Sequence, residues 1–418
     1  MNEKFRPSCE GYNGKVIAMT EQEAREMVVA AGKRLVETGL IARTWGNISC
    51  RISDSHFVIT PSGRDYLSLT GDEIVRVAVS DCSYTGEIKP SSEKGIHAEV
   101  YKLHPDISFV IHTHQDYASA LSVAGYASIK APEKFPALGG EIICAAYGLP
   151  GTKKLRRGVR AALLSSKGKA VIMKHHGALC FGSSSEEAFD IAQQLEEACL
   201  EHISGLYQNP DGQKAFNSPE AACFAMSRLS GRKITPDSLN KVPFYESKRC
   251  SNGFYLYDQD KAYNIILSDN EISLPSDRKL LKAAEIHTAI YKNHPEINNI
   301  VHCRLPNTSA VSAAGIRLLP FLDDFAQIAG ISVRSAEIDG MKISKRLNNS
   351  SAVLIHKNGA LCCGISESDA AAVSMVVEKN CRALVCAALR DRIKPINPLE
   401  ARLMRFVYLR KYSKQAHH

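Results

Sequence analysis

Two histidines, His112 and His114, stand two apart in the apolar run Phe109-Val110-Ile111-His112-Thr113-His114. The period of a strand sends both imidazoles to one face, which makes half of a metal site. A third, His176, closes the run Ala170-Val171-Ile172-Met173-Lys174-His175-His176, where Gly177 forces a tight turn and leaves the ring free to project. Three neutral histidines with a fourth position open form the ligand set of a catalytic rather than a structural zinc. Taken singly, each reads as well as a hydrogen-bonded core histidine, and His175, facing the other way, reads as core or as a support for the ligands. Glu93, in the first turn of a helix just before the His-x-His strand, is either an acid steadied by the helix dipole or a general base beside a metal. Asn47, Ser62, Gly63, Ser91 and Ser92 are small donors at turns. Hydroxyls and free N–H groups at a helix start suit a phosphate, and suit ordinary capping equally.

These residues need strands and helices to converge. Ala24, Met27, Val28, Ala31 and Leu35 recur at steps of three and four, so residues 21–38 read as a helix. Residues 44–52 read as a turn feeding a strand, and Phe57-Val58-Ile59-Thr60 as a second strand ending in the turn Pro61-Ser62-Gly63. A serine-capped helix follows Pro90-Ser91-Ser92-Glu93, carries His97, Val100, Tyr101 and Leu103, and stops before Pro105. Ser185 is expected to cap a helix over 186–204. Residues 206–250 hold Pro210, Asp211, Gly212, Pro219, Gly231, Pro236 and Pro243, which read as a linker or irregular subdomain with one short helix near 219–229.

The whole chain has 418 residues, 44% apolar and 23% charged, which is ordinary globular composition and excludes disorder and coiled coil. Its formal charge of +8 suits an anionic small substrate as well as nucleic acid. The basic groups Lys153, Lys154, Arg156, Arg157 and Arg160, and Arg402, Arg405, Arg410, Lys411 and Lys414, read as solvated helix faces, with no nucleic-acid signature among them. Thirteen cysteines, an odd count with no Cys-x-x-Cys, read as reduced thiols used as small apolar residues. No run of 18 apolar residues occurs and the start is polar, so a cytoplasmic protein without a membrane partner is expected.

The chain also repeats itself. His97, Tyr101, Lys102, His104, Pro105 and His112 return as His287, Tyr291, Lys292, His294, Pro295 and His302, at an offset of 190, and Ala124-Gly125 returns as Ala314-Gly315. His175 through Cys180 returns as Lys357 through Cys362 at an offset of 182, so the second copy is eight residues shorter between the blocks. Glu196 and Glu378 keep the offset of 182. Three matched blocks in the same order point to two homologous domains. No counterpart of Trp45-Gly46-Asn47 or Pro61-Ser62-Gly63 is evident in the second copy, whose first strand is expected at 254–257 or 264–267.

The ordered set Gly46-Asn47, Thr60-Pro61-Ser62-Gly63, Pro90-Ser91-Ser92-Glu93, His112-Thr113-His114 and His176-Gly177 resembles the class II aldolase/adducin family over roughly residues 20–205, and more faintly over 255–390. The resemblance implies an α/β fold of two α/β/α domains, each a mostly antiparallel sheet sandwiched by helices. It implies one divalent metal per chain on His112, His114 and His176, zinc in the first place and manganese or cobalt as alternatives. It implies that Asn47, Ser62, Gly63, Ser91 and Ser92 hold a substrate phosphate, and that Glu93 moves protons. The implied reaction is cleavage of a phosphorylated ketose, a metal acting as Lewis acid on an enediolate. A 4-epimerase or dehydratase on the same site, and a non-catalytic adducin-like module, are the alternatives. The family's proton donor, a tyrosine or aspartate that crosses a subunit interface after the His-x-His strand, has no match in residues 131–140; Glu133, Lys134, Tyr117 and Tyr126 stand nearby. In the second copy Ala283, Arg304 and Asn358 replace Glu93, His114 and His176. The expectation is therefore an active domain over 1–240, with 206–240 as linker, and a degenerate one over 241–418 without a metal site. The second would sit where a neighbouring subunit sits in the family, so that a homodimer makes a pseudo-tetramer.

Overall fold

Apolar strands too buried to alternate with polar residues need helices on both faces, and the chain supplies them twice. The computed structural model describes residues 19–38, 40, 46–207, 212, 216, 218–240, 242, 244–267 and 277–411. Thr44, Trp45, Pro210, Asp211, Pro243 and the tail beyond 411 lie outside the described residues. The first unit runs α1 (Glu21–Glu37), β1 (Asn47–Arg51), β2 (His56–Ile59), β3 (Val75–Ala78), α2 (Lys94–Leu103), β4 (Phe109–Thr113), α3 (Asp116–Ser122), β5 (Ser128–Lys130), β6 (Glu141–Ala145), α4 (Lys153–Ser165), β7 (Ala170–Met173), β8 (Gly177–Gly182) and α5 (Ser185–Ser204). After α6 (Pro219–Ser230) come β9 (Glu246–Cys250), β10 (Gly253–Asp258), β11 (Lys261–Ile266), α7 (Arg278–Asn293), β12 (Asn299–Cys303), α8 (Pro306–Ala314), α9 (Asp323–Ile328), β13 (Ser335–Ala336), α10 (Gly340–Leu347), β14 (Ala352–Ile355), β15 (Ala360–Gly364), α11 (Glu367–Leu389) and α12 (Pro398–Lys411).

The sheets have the orders β3-β2-β1-β4-β8-β7-β6-β5 and β11-β10-β9-β12-β15-β14-β13. All pairings are antiparallel except β6–β7 and β13–β14. Among the described residues the second sheet is thus the first with β5 reduced to the single bridge Leu318–Val333. Its first strand is β9; the runs at 254–257 and 264–267 fall in its second and third strands, β10 and β11. The reason the counterpart of β1 escapes a search for Asn47 is plain in its contacts. Ser49 Oγ lies 2.7 Å from both His97 Nδ1 and Tyr101 Oη, while Arg51 donates to the carbonyls of Tyr101, His104 and Ile107. Ser247 and Arg249 make the same contacts to His287, Tyr291, His294 and Ile297. The polar clamp that ties the strand to the helix persists, whereas the residue in Asn47's place is Tyr245.

Local chemistry starts the helices. Thr20 and Glu23 form a capping box on α1, and Ser366 and Asp369 form one on α11. Ser184 rather than Ser185 caps α5. Glu93 stands at the cap position of α2, one residue before its first turn. Pro219 opens α6 and Gly231, in the left-handed region, ends it; this helix packs on α8 and α11. One face of the first sheet packs on α2 and α4 through Phe57, Val110, Val159 and Phe181. The other face feeds a core that continues from Leu121 and Phe189 through to Val311, Phe325 and Leu384, so the two units share one apolar interior. Truncating a residue of this shared core, such as Leu384→Ala, is expected to cost about 2–5 kcal/mol.

Candidate functional site

Register brings the predicted ligands to one end of the first sheet. Asn47 on β1 lies opposite His112 on β4, and β4 pairs with β8 so that Thr113 lies opposite Ala178. Met173 pairs with Gly177, which puts Lys174, His175 and His176 in the turn between β7 and β8, at the His114 end of β4. A Cβ at Gly177 would stand 2.1 Å from the Thr113 carbonyl oxygen, so only glycine lets the turn approach this closely. His175 takes φ 60°, a left-handed conformation that costs a non-glycine residue roughly 1–2 kcal/mol.

Three imidazoles meet there by the same nitrogen. His112 Nε2 lies 3.0 Å from His114 Nε2 and 2.9 Å from His176 Nε2. Glu93 closes the group, its Oε2 3.2 Å from His112 Nε2 and its Oε1 3.2 Å from His176 Nε2. All four side chains are buried or nearly so. Asn47 Nδ2 donates to Glu93 Oε2 at 3.0 Å, and Asn47 Oδ1 faces His97 Nε2, so the amide holds the carboxylate in place.

The far side of each ring is also engaged. His112 Nδ1 donates to the Ala178 carbonyl at 2.9 Å. His176 Nδ1 abuts the carboxylate of Asp323, and His114 Nδ1 lies 3.7 Å from that of Asp324. Both aspartates belong to α9 of the second unit. The carbonyl opposite His112 Nδ1 fixes the neutral tautomer whose lone pair sits on Nε2, and the carboxylates beside His176 and His114 favour a proton on the same nitrogen. With all three rings in that form, three lone pairs and a carboxylate face one point, a set that suits a cation; without one, a proton on His176 takes its place. The donor chemistry fits a divalent metal on three nitrogens.

The electrostatics distinguish the three rings. Burial depresses His112 and His114, and Glu93 and Asp324 only partly oppose it. Burial also works against His176, but Asp323 and Glu93 outweigh it and hold that ring well above the ordinary histidine range. Burial pushes Glu93 up, and His176, His112 and the Asn47 amide more than offset this, leaving it ionised.

The other predicted residues lie around this centre with differing contacts. Ser91 Oγ accepts the Glu93 N–H at 3.2 Å, and the Ser62 N–H donates to the Lys89 carbonyl at 2.9 Å. Gly63 takes φ 76°, as a turn glycine does. Ser92 is exposed and shares a cavity of about 240 Å³ with Glu93, Lys94, Lys153 and Arg156. Of the basic helix face, therefore, Lys153 and Arg156 line a cavity, while Arg156 and Arg160 also pair with buried Glu99. Lys134 pairs with Glu201, and Tyr126 packs on His202 and Arg390. Asp323, Asp324 and Lys379 are the site residues that sequence reasoning missed. A signal existed: the offset of 190 puts Asp323 at the place of Glu133, inside the apolar run Leu318-Leu319-Pro320-Phe321-Leu322-Asp323-Asp324-Phe325. The offset is structural there too, since Leu318 bridges Val333 as Ser128 pairs with Ile143.

The model of the family described as Class II Aldolase and Adducin N-terminal domain matches residues 26–203 and 230–385. A 5-deoxy-D-ribulose 1-phosphate aldolase of Bacillus thuringiensis serovar kurstaki is 31% identical over 179 residues, which cover 43% of this chain and 83% of that protein. A 5-methylthioribulose-1-phosphate/5-deoxyribulose-1-phosphate aldolase of Escherichia coli O45:K1 is 34% identical over 173 residues, covering 41% and 79%. A solved L-fuculose 1-phosphate aldolase is 29% identical, with 46% of this chain and 89% of that one covered and a TM-score of 0.42. With its fold of two helix-flanked mixed sheets, the chain belongs to the class II aldolase and adducin N-terminal domain family, whose model it matches over two separate stretches.

Proposed function

We propose that the chain is a metal-dependent aldolase that cleaves a phosphorylated ketose between C3 and C4. The convergence of three Nε2 atoms on the Glu93 carboxylate carries this reading. His112, His114 and His176 hold the cation, zinc before manganese or cobalt. When bound, the metal supplies Lewis-acid stabilisation for the negative charge that develops on the ketose oxygens. The protein supplies the rest. In the cleavage direction the C4 hydroxyl proton passes, through water, to the Glu93 carboxylate as the aldehyde forms, the C3–C4 electron pair stays on C3, and Glu93 returns that proton to that carbon. In condensation Glu93 takes the same proton. Its carboxylate is already ionised and held by the Asn47 amide, so little reorganisation precedes the transfer. Ser62, Gly63, Ser91 and Ser92, with Asn47 behind them, form the turn and helix start that anchor the phosphate and orient the sugar.

The relatives' names make 5-deoxyribulose 1-phosphate the first substrate to try. The second domain, proposed to span 241–418, holds no metal of its own, and two chains associate into a pseudo-tetramer. The test is one preparation assayed for bound metal and for aldehyde release from a panel of ketose 1-phosphates. One metal per chain and aldehyde from at least one substrate are expected; a chain that binds no cation, or two, overturns the reading.

A further inference from the structure

We infer that the second unit completes the first unit's metal site. Asp323 and Asp324 act as positioning residues that fix His176 and His114 through Nδ1, and set how tightly the site holds its cation. The inference rests on the three-histidine reading of the metal site.

Burial makes the first argument. Asp323 is 0% exposed and Asp324 1%, far below what unpaired carboxylates tolerate. One ammonium, Lys379 Nζ, lies 2.8 Å from Asp324 Oδ2 and is itself buried. Asp323 Oδ1 accepts the Asp324 N–H at 2.8 Å and Asp324 Oδ1 the Phe325 N–H at 2.7 Å, while the Oδ2 atoms face the imidazoles of the other unit. Glu93, Asp323 and Asp324 with Lys379 make three carboxylates and one ammonium, a net charge of −2. A single divalent cation cancels that charge. Without the second unit, Glu93 alone would leave a bound cation in excess.

Geometry makes the second. The segment carrying the aspartates is docked on the very turn that carries His176. His175 Nδ1 lies 2.8 Å from the Phe321 carbonyl oxygen, and the Asp323 N–H donates to the His175 carbonyl at 3.1 Å. The same segment is fastened from behind by α11. Asn380 Oδ1 accepts the N–H groups of Phe321 and Leu322 at 2.8 and 3.1 Å, and Asn380 Nδ2 donates to the Leu319 carbonyl at 3.0 Å. Hydrogen bonds that cross between the units thus meet at His175, whose left-handed conformation belongs to the turn itself, since its counterpart Lys357 has the same φ of 60°. Carboxylates behind ligating histidines fix ring orientation and raise ligand basicity, and removing them typically weakens metal binding by about 10–100-fold.

The experiment uses the full chain, stripped by a chelator and titrated with zinc alone against a chromophoric competitor, then with cobalt to read the ligand set from its visible spectrum. Asp323→Asn keeps shape and a hydrogen-bond acceptor while removing the charge. It is expected to lower zinc affinity by about 10–100-fold and to shift the cobalt bands. Asp324→Asn, at 3.7 Å from its ring, is expected to do the same to a smaller degree. A purely structural role lowers the melting temperature of the metal-free variant and leaves affinity and spectrum as they were. Should Asp323→Asn fail to fold, Asp324→Asn carries the test. Affinity and spectrum unchanged in the folded variants overturn the inference while the metal reading stands. An unmodified chain that binds no zinc overturns that reading, and the inference with it.

Discussion

His112 and His302 occupy the same place on equivalent strands, yet only one is poised as a ligand. His112 gives its Nδ1 proton to a carbonyl and keeps an Nε2 lone pair for the centre of the site. His302 is turned the other way: its Nδ1 accepts the Phe244 N–H at 3.0 Å, and its Nε2 lies 2.8 Å from the Asn358 carbonyl oxygen. Both of its nitrogens are spent on backbone. Around it Arg304 and Asn358 stand where His114 and His176 stand in the first unit, and the Asn358 amide donates to the Val242 carbonyl. The place equivalent to the first unit's centre is filled with hydrogen bonds of the fold, while the α9 segment of the same unit lies against the first unit's histidines. The same place on two equivalent strands can thus be committed to a cluster of side chains in one unit and to the backbone in the other.

The sharpest way to break this contrast is to remove equivalent rings. His112→Ala is expected to abolish both metal content and aldehyde release. His302→Ala is expected to leave both unchanged and to cost about 1–3 kcal/mol of stability, because the partly buried Phe244 N–H loses its acceptor. Metal analysis and chemical denaturation of the two variants decide it. If His302→Ala removes metal, the second unit has a site that its hydrogen bonds conceal.

Glu93 sharpens the contrast one step further, since Ala283 stands in its place in the second copy. Glu93→Gln preserves the amide contact from Asn47 in shape but removes the base. Cleavage is expected to fall by about 10²–10⁴-fold with the metal still bound. Retained activity in the metal-loaded variant would show that another group moves the proton.

The sequence made the first unit's centre legible because its residues are close in register. A strand's period of two places His112 and His114, and a glycine after a strand places His176. It also made the duplication legible, since buried helix–strand contacts keep their spacing. Glu196 accepts the Tyr117 and Ala118 N–H groups at the start of α3, and Glu378 accepts the Thr308 N–H and the Asn307 side-chain amide on α8. The eight missing residues fall between Val333 and Ala352, where α10 is shorter than α4. What stayed hidden was the contact between units. Asp323 and Asp324 look like a helix start on the surface until the shared core packs α9 against the first unit, and no local period encodes that packing. Asn47 was legible as a site residue, but its amide is committed to Glu93 and His97, a pairing that only the sheet register reveals.

The smallest effect concerns what the two units still share. His97 and His287 are fully buried and neutral beneath their strands, and burial pushes each down to about 3, against which Glu93 pulls His97 weakly upward. Between pH 6.5 and 3 the unfolded chain binds a proton at each ring that the folded chain does not. Stability therefore rises with pH through this window and is lost as pH falls, by roughly 1.4 kcal/mol per unit for each ring. His287→Gln, remote from the metal centre, is expected to remove one share, about 2 kcal/mol of the loss between pH 6.5 and pH 5. Denaturant midpoints measured at several pH values read this directly. An acid dependence identical to that of the unmodified chain would mean that the second unit's clamp admits the proton, and that burial of the two rings is not equivalent after all.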